Sequence, residues 1–143
     1  MDSEDPYNLN RFVQAQDATY QQALVELHAG QKRTHWMWYV FPQFVGLSSS
    51  NTAIRFAIKS LAEADAYLSH SMLGPRLLEC CEAIIGLDGV SATDIFGTPD
   101  DLKFRSCVTL FAQVSPGNSI FQQVLGKYFS GKPDELTLNL IDS

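Results

Sequence analysis

Apolar residues along this chain recur at intervals of three and four, the spacing of a helix that buries one face. Tyr20, Ala23, Leu24 and Leu27 form one such stripe, closed by Gly30, whose missing Cβ suits the left-handed residue that ends a helix. Leu77, Leu78, Cys81 and Ile84-Ile85 form another, opened by Gly74-Pro75 and ended at Gly86. A third runs through Ile120, Phe121, Val124, Leu125 and Tyr128-Phe129 to Gly131, after a turn at Ser115-Pro116-Gly117-Asn118.

Polar punctuation supplies the remaining starts. Asp5-Pro6 predicts a first helix from Tyr7 to Ala15, because the carboxylate accepts from free amides and proline fits the first turn. Asp17 is expected to cap the second helix, which ends near Ala29. Ser60-x-x-Glu63 and Ser91-x-x-Asp94 read as capping boxes. Thr98-Pro99-Asp100-Asp101 predicts a helix through Val114, with Thr98 as the capping hydroxyl and two acids at the positive end of the dipole. Lys132-Pro133-Asp134 opens the last helix, and Ser48 to Ser50 reads as a loop. The expectation is an all-α fold of about eight helices, several of them short. It forms a single domain over residues 1–143, with a short flexible acidic N-terminus at 1–4.

Composition narrows the function classes. Hydrophobic residues make up 45% and charged residues 18%, which argues for a packed chain and against disorder. A formal charge of −6 is the wrong sign for displacing counterions from a phosphate backbone, so no nucleic acid duplex is expected as partner. The longest apolar run, Trp36 to Phe41, falls far short of a membrane span, so no membrane association is expected either. The start Met-Asp-Ser-Glu-Asp is acidic where a secretory signal is basic, which points to a cytoplasmic location. Cys80, Cys81 and Cys107 form neither a disulfide set nor a spaced metal motif and read as buried thiols; no metal and no cofactor is expected. His28 and His70 read as solvated. The pattern leaves the oligomeric state open.

Two stretches, Thr34 to Ile54 and Ser106 to Gly126, contain no charged residue. The first opens with Lys32-Arg33-Thr34-His35-Trp36-Met37-Trp38-Tyr39-Val40-Phe41-Pro42-Gln43. Periodicity fits a helix capped by Thr34 or a strand, while Pro42 as a stop and the helical neighbours favour the helix. In a functional reading, His35 offers an imidazole for acid–base work, the indoles form a plate for a planar ligand, and Lys32 and Arg33 meet an anion. In a structural reading, the tryptophans are core anchors and His35 satisfies a buried carbonyl. The helix after Pro99 carries Lys103, Ser106, Thr109 or Leu110, and Gln113 on one face, with Arg105 flanking it. Such a stripe either lines a pocket or returns its hydroxyl hydrogen bonds to its own helix.

The two motifs, His35 to Gln43 and Ile95-Phe96-Gly97-Thr98-Pro99-Asp100-Asp101-Leu102-Lys103-Phe104-Arg105-Ser106, together resemble domain-of-unknown-function family 1810. Leu9 to Gln16, Ala29 to Arg33, Ser60 to Ala64, Leu73 to Leu77, Thr109 to Phe111, and Tyr128-Phe129 with Gly131 extend the resemblance over nearly the whole length. Thr34, Tyr39 and Cys107 stand where Ser, Phe and Ser are usual in that family. The resemblance implies a compact, mainly helical fold and implies no activity, substrate or cofactor. Some relatives carry the label calpastatin, but calpastatin repeats are disordered and polar, unlike this composition.

The leading expectation is that His35, Trp36, Trp38, Gln43, Lys103, Arg105 and Ser106 converge on one pocket bordered by Lys32 and Arg33. That pocket would bind a small anionic ligand, nucleotide-like or a sugar phosphate. Hydrolytic turnover of an N-glycosidase kind is left open, with His35 as the candidate acid or base. The alternative is an interaction module that docks a protein through an exposed aromatic patch.

Overall fold

The computed structural model describes residues 5–142, and the acidic segment 1–4 lies outside the described residues. Ten helices follow one another among them: α1 (Asn10–Asp17), α2 (Tyr20–His28), α3 (Met37–Val40), α4 (Asn51–Arg55), α5 (Leu61–Ser69), α6 (Leu73–Ile85), α7 (Ala92–Phe96), α8 (Asp100–Ala112), α9 (Ile120–Tyr128) and α10 (Glu135–Asp142). The described residues contain no strand; a single parallel bridge joins Phe44 to Ile58. The all-α expectation holds, and the helices beyond the expected eight are short ones, such as α3 and α4.

Helix α8 is the axis of the molecule. Most of its residues are buried, including Phe104, Cys107, Val108, Leu110 and Phe111, as expected of a helix enclosed on several sides. Around it pack α3, α5, α7, α9 and α10, while α6 bridges α2, α5 and α9. Gly74 lets α6 approach the end of α5: a Cβ there would lie 2.0 Å from the Leu68 carbonyl oxygen. The three cysteines are buried free thiols.

Several predicted boundaries shift, each for a visible reason. Asp5 does accept from amides, those of Leu9 and Asn10, but Asn8 sits at φ 52 and delays α1 to Asn10. Asp17 ends α1 and pairs with Arg76 instead of capping α2. Ser60 caps α5 by accepting from the Glu63 amide, yet the Glu63 carboxylate accepts from Lys59 N and Arg11, so that box is only half formed. Ser91 and Asp94 form the complete box. The Thr98 hydroxyl donates to Asp101 and does not cap α8, which ends at Ala112. Ser50 caps the unforeseen α4. His70 is also engaged, its Nδ1 accepting from the amides of Met72 and Leu73 where α6 begins.

Candidate functional site

The tryptophan-rich segment is neither a strand nor a helix capped by Thr34. It forms a connecting loop followed by the single turn α3, with Trp36 at the cap position. The reason lies in Glu26 of α2, 2% exposed, which gathers the loop around its carboxylate. Oε1 accepts from the amides of Arg33 (2.7 Å) and Thr34 (3.1 Å) and from Trp36 Nε1 (2.9 Å). Oε2 accepts from the Thr34 hydroxyl (2.7 Å) and from Gln22 Nε2 (2.9 Å). Burial alone would push this carboxyl up. The Arg33 amide, then Gln22, Thr34 and Trp36, outweigh it and hold it down at about 2, so it is a charged anchor near neutral pH.

Held in this way, the indole of Trp36 is 1% exposed and packs on Phe41. Phe41 in turn meets Phe104 of α8 at 4.9 Å and Phe96 at 5.9 Å. The tryptophan-rich segment and the helix after Pro99 therefore do come together, and the contact between them is aromatic. Trp36 and Phe41 are buried and Trp38 and Tyr39 half-buried, so the segment offers no exposed Trp, Tyr or Phe.

Polar groups meet at the outer edge of this contact. Lys32, its side chain 8% exposed, reaches Asp100 at 2.9 Å and lies over the Trp36 ring at 5.2 Å. Lys103, one turn into α8, reaches the other Asp100 oxygen at 3.4 Å and lies over Trp38 at 5.1 Å. The result is a ledge: two ammonium groups, one shared carboxylate and two indoles, beside the N-terminal turn of α8. Asp101 is held separately by the Thr93 and Thr98 hydroxyls. Of the expected site residues, Lys32, Trp36, Trp38 and Lys103 are thus gathered at one place. Arg33 and His35 are exposed on the loop that leads to it. The His35 carbonyl accepts from the Tyr39 hydroxyl. Gln43 lines, with Trp38, a cavity of about 20 Å³, which is water-sized.

Arg105 and Ser106 go elsewhere. Arg105 donates to the carbonyls of Lys132 and Pro133 and stacks on Phe129. The Ser106 hydroxyl donates to Leu102 O at 3.0 Å and to Asp134 at 3.2 Å. Thr109 donates to Arg105 O and accepts from the Asp134 amide, and Asp134 caps α10 through Thr137. The polar stripe of α8 is therefore shared between its own carbonyls and the entry to α10.

Asp100 and Glu26 are the members that sequence reasoning did not single out as partners of the aromatic segment. A signal existed for Glu26: it follows Ala23 by three on the buried stripe of α2, where a charge needs partners. Asp100 gave none, because an acid at a helix start is explained by the dipole alone. Among the described residues no group of three or more His, Cys, Asp or Glu side chains is placed to hold a metal ion. No helix among them is long and apolar enough to cross a membrane.

An all-helical chain with these two motifs is found in a known family. The model of the family described as "Protein of unknown function (DUF1810)" matches residues 6–141, and the chain belongs to that family. The chain is similar to the crystal structure of the conserved hypothetical protein Rv1873 from Mycobacterium tuberculosis. The two share 49% identity and a TM-score of 0.94, over 96% of this chain and 99% of that one. No curated protein matches it.

Proposed function

We propose that the ledge binds a small anionic ligand of nucleotide-like or sugar-phosphate type. The observation that supports this reading is the sharing of Asp100 by Lys32 and Lys103, which leaves one positive charge uncompensated on a chain of formal charge −6. A ligand phosphate can take the place of the Asp100 carboxylate between the two ammonium groups, helped by the dipole of the thirteen-residue α8. The half-buried Trp38 offers a surface for a planar group. Arg33 and His35 border the ledge, and His35 is the candidate acid or base for any turnover. Arg105 and Ser106, committed to α10, are not part of the ligand shell in this reading.

The test is thermal shift with AMP, ADP-ribose and ribose 5-phosphate on wild type, Lys103→Ala and Asp100→Asn. A ligand at a hundred times its Kd adds about 2.7 kcal/mol. For a domain of this size that is a rise in Tm of several degrees. Lys103→Ala is expected to abolish the shift, and Asp100→Asn to enlarge it by removing the competing carboxylate. No shift with any probe, or a shift indifferent to both substitutions, overturns the reading.

A further inference from the structure

A second concavity lies where α1 faces the stretch from α4 to the start of α5. It is open, with a volume of about 460 Å³, within the range of roughly 300–1,000 Å³ typical of small-molecule sites. Tyr7, Asn10 and Gln14 line one side, Arg55 and Lys59 the other, with Arg11 between them. Among the described residues, three cations and no carboxylate line it, on an acidic protein.

The three cations play different parts. Arg11 is committed: Nη1 donates to the carbonyls of Tyr7 and Asn8, Nε to Arg55 O at 2.8 Å, and Nη2 to Ala57 O at 2.9 Å and to Glu63 at 2.8 Å. Its charge is cancelled by Glu63, and the side chains of the pair are 10% and 3% exposed. Arg55 and Lys59 have no carboxylate within 4.0 Å among the described residues; the Arg55 guanidinium lies over the Phe56 ring at 5.2 Å. The Asn10 and Gln14 amides and the Tyr7 hydroxyl make no side-chain hydrogen bond among the described residues either.

The buried Arg11–Glu63 pair also fixes where the two free cations stand. Arg11 holds the carbonyl of Arg55, and Glu63 Oε1 accepts from the Lys59 amide at 3.0 Å. Buried ion pairs return little net stability once desolvation is counted, so the positioning of these three segments is the clearest contribution of this one. The groove thus combines uncompensated charge, free neutral donors and acceptors, and a rigid mount beneath both cations.

We propose that this groove is a second binding site, sharing no residue with the ledge, that takes a phosphomonoester on a small polyhydroxylated body. Arg55 and Lys59 receive the phosphate by charge-assisted hydrogen bonds. Asn10, Gln14 and Tyr7 pair with hydroxyls, for which side chains that both donate and accept are suited.

Isothermal titration with glucose 6-phosphate tests this, with inorganic phosphate and glucose as separate probes. Lys59→Gln and Asn10→Ala, both at exposed positions, are compared with wild type and with Lys103→Ala on the ledge. Far-ultraviolet melting establishes that each variant folds. The expected result is binding of glucose 6-phosphate that Lys59→Gln weakens about tenfold, that Asn10→Ala also weakens, and that Lys103→Ala leaves alone. No binding of glucose 6-phosphate at millimolar concentration overturns the proposal, as does binding that Lys59→Gln does not reduce. Equal affinity for inorganic phosphate overturns the role given to the amides. Loss with Lys103→Ala but not with Lys59→Gln places the ligand on the ledge; the groove then fails while the reading of the ledge survives.

Discussion

Glu26 is the residue whose replacement tests the local physics most directly. In Glu26→Ala the indole N–H of Trp36 and the amides of Arg33 and Thr34 lose their common acceptor. A buried donor left alone costs about 1–3 kcal/mol, so a loss near 4 kcal/mol at neutral pH is expected once water reaches the two loop amides. Glu26→Gln is the subtler probe. Its carbonyl oxygen can still serve those three donors, while the Gln22 amide and the Thr34 hydroxyl turn to accept from the new NH2. What it removes is the charge. A carboxyl held at about 2 against an ordinary 4.5 is worth about 3 kcal/mol above pH 5. The sign follows from the lowered native value: the unfolded chain takes up the proton first, so the contribution is complete above the unfolded value and is lost as pH falls toward the folded one. By pH 3 about 2 kcal/mol of it should be gone. Urea unfolding of wild type and Glu26→Gln, followed by tryptophan fluorescence at pH 7 and pH 3, measures this as a narrowing of the gap between them. Other carboxylates cancel in that difference. A gap that stays constant with pH, or a Glu26→Ala cost below about 1 kcal/mol, refutes the account of Glu26 as a charged anchor.

Two further outcomes follow from the packing. Gly74→Ala places a methyl 2.0 Å from the Leu68 carbonyl oxygen, a backbone atom that cannot swing away, so α5 and α6 must part. A loss of about 3 kcal/mol and a fall in Tm of roughly 10 °C are expected in a thermal melt, and an unchanged Tm refutes the need for glycine at this contact. The thiols give a chemical readout. Burial pushes Cys80 up to about 12, with Tyr20 as a partly offsetting donor, and pushes Cys81 and Cys107 well up. A disulfide reagent at about pH 8 should modify none of them in the native protein and all of them in denaturant; rapid native labelling would contradict their burial.

How much of this was legible beforehand differs between fold and site. The stripes of α2, α6 and α9 needed only a helical period and a glycine or polar stop, and these appear close to where they were expected. The starts were less secure, because a polar side chain has several partners to choose from. Asp5, Ser91 and Asp134 serve nearby backbone, whereas Asp17 and Glu63 turn to arginines distant in sequence. The tryptophan segment is the sharpest case: its periodicity does not choose between helix and strand, and an acid on α2 gathers its first half into a loop before the single turn α3.

The helical class and the stripes of α2, α6 and α9 were readable from the residues alone, because they depend on contacts between residues a few positions apart. Packing between distant segments is what brings Lys32 to the carboxylate that Lys103 meets within its own helix, turns Arg105 and Ser106 to α10, and sets Arg11 on the Arg55 carbonyl beside an open groove. Each of those is a choice of partner for a charged or polar group across tens of residues. Local periodicity carries no information about such a choice; it is made by which helices pack together and which donors and acceptors that packing leaves within reach.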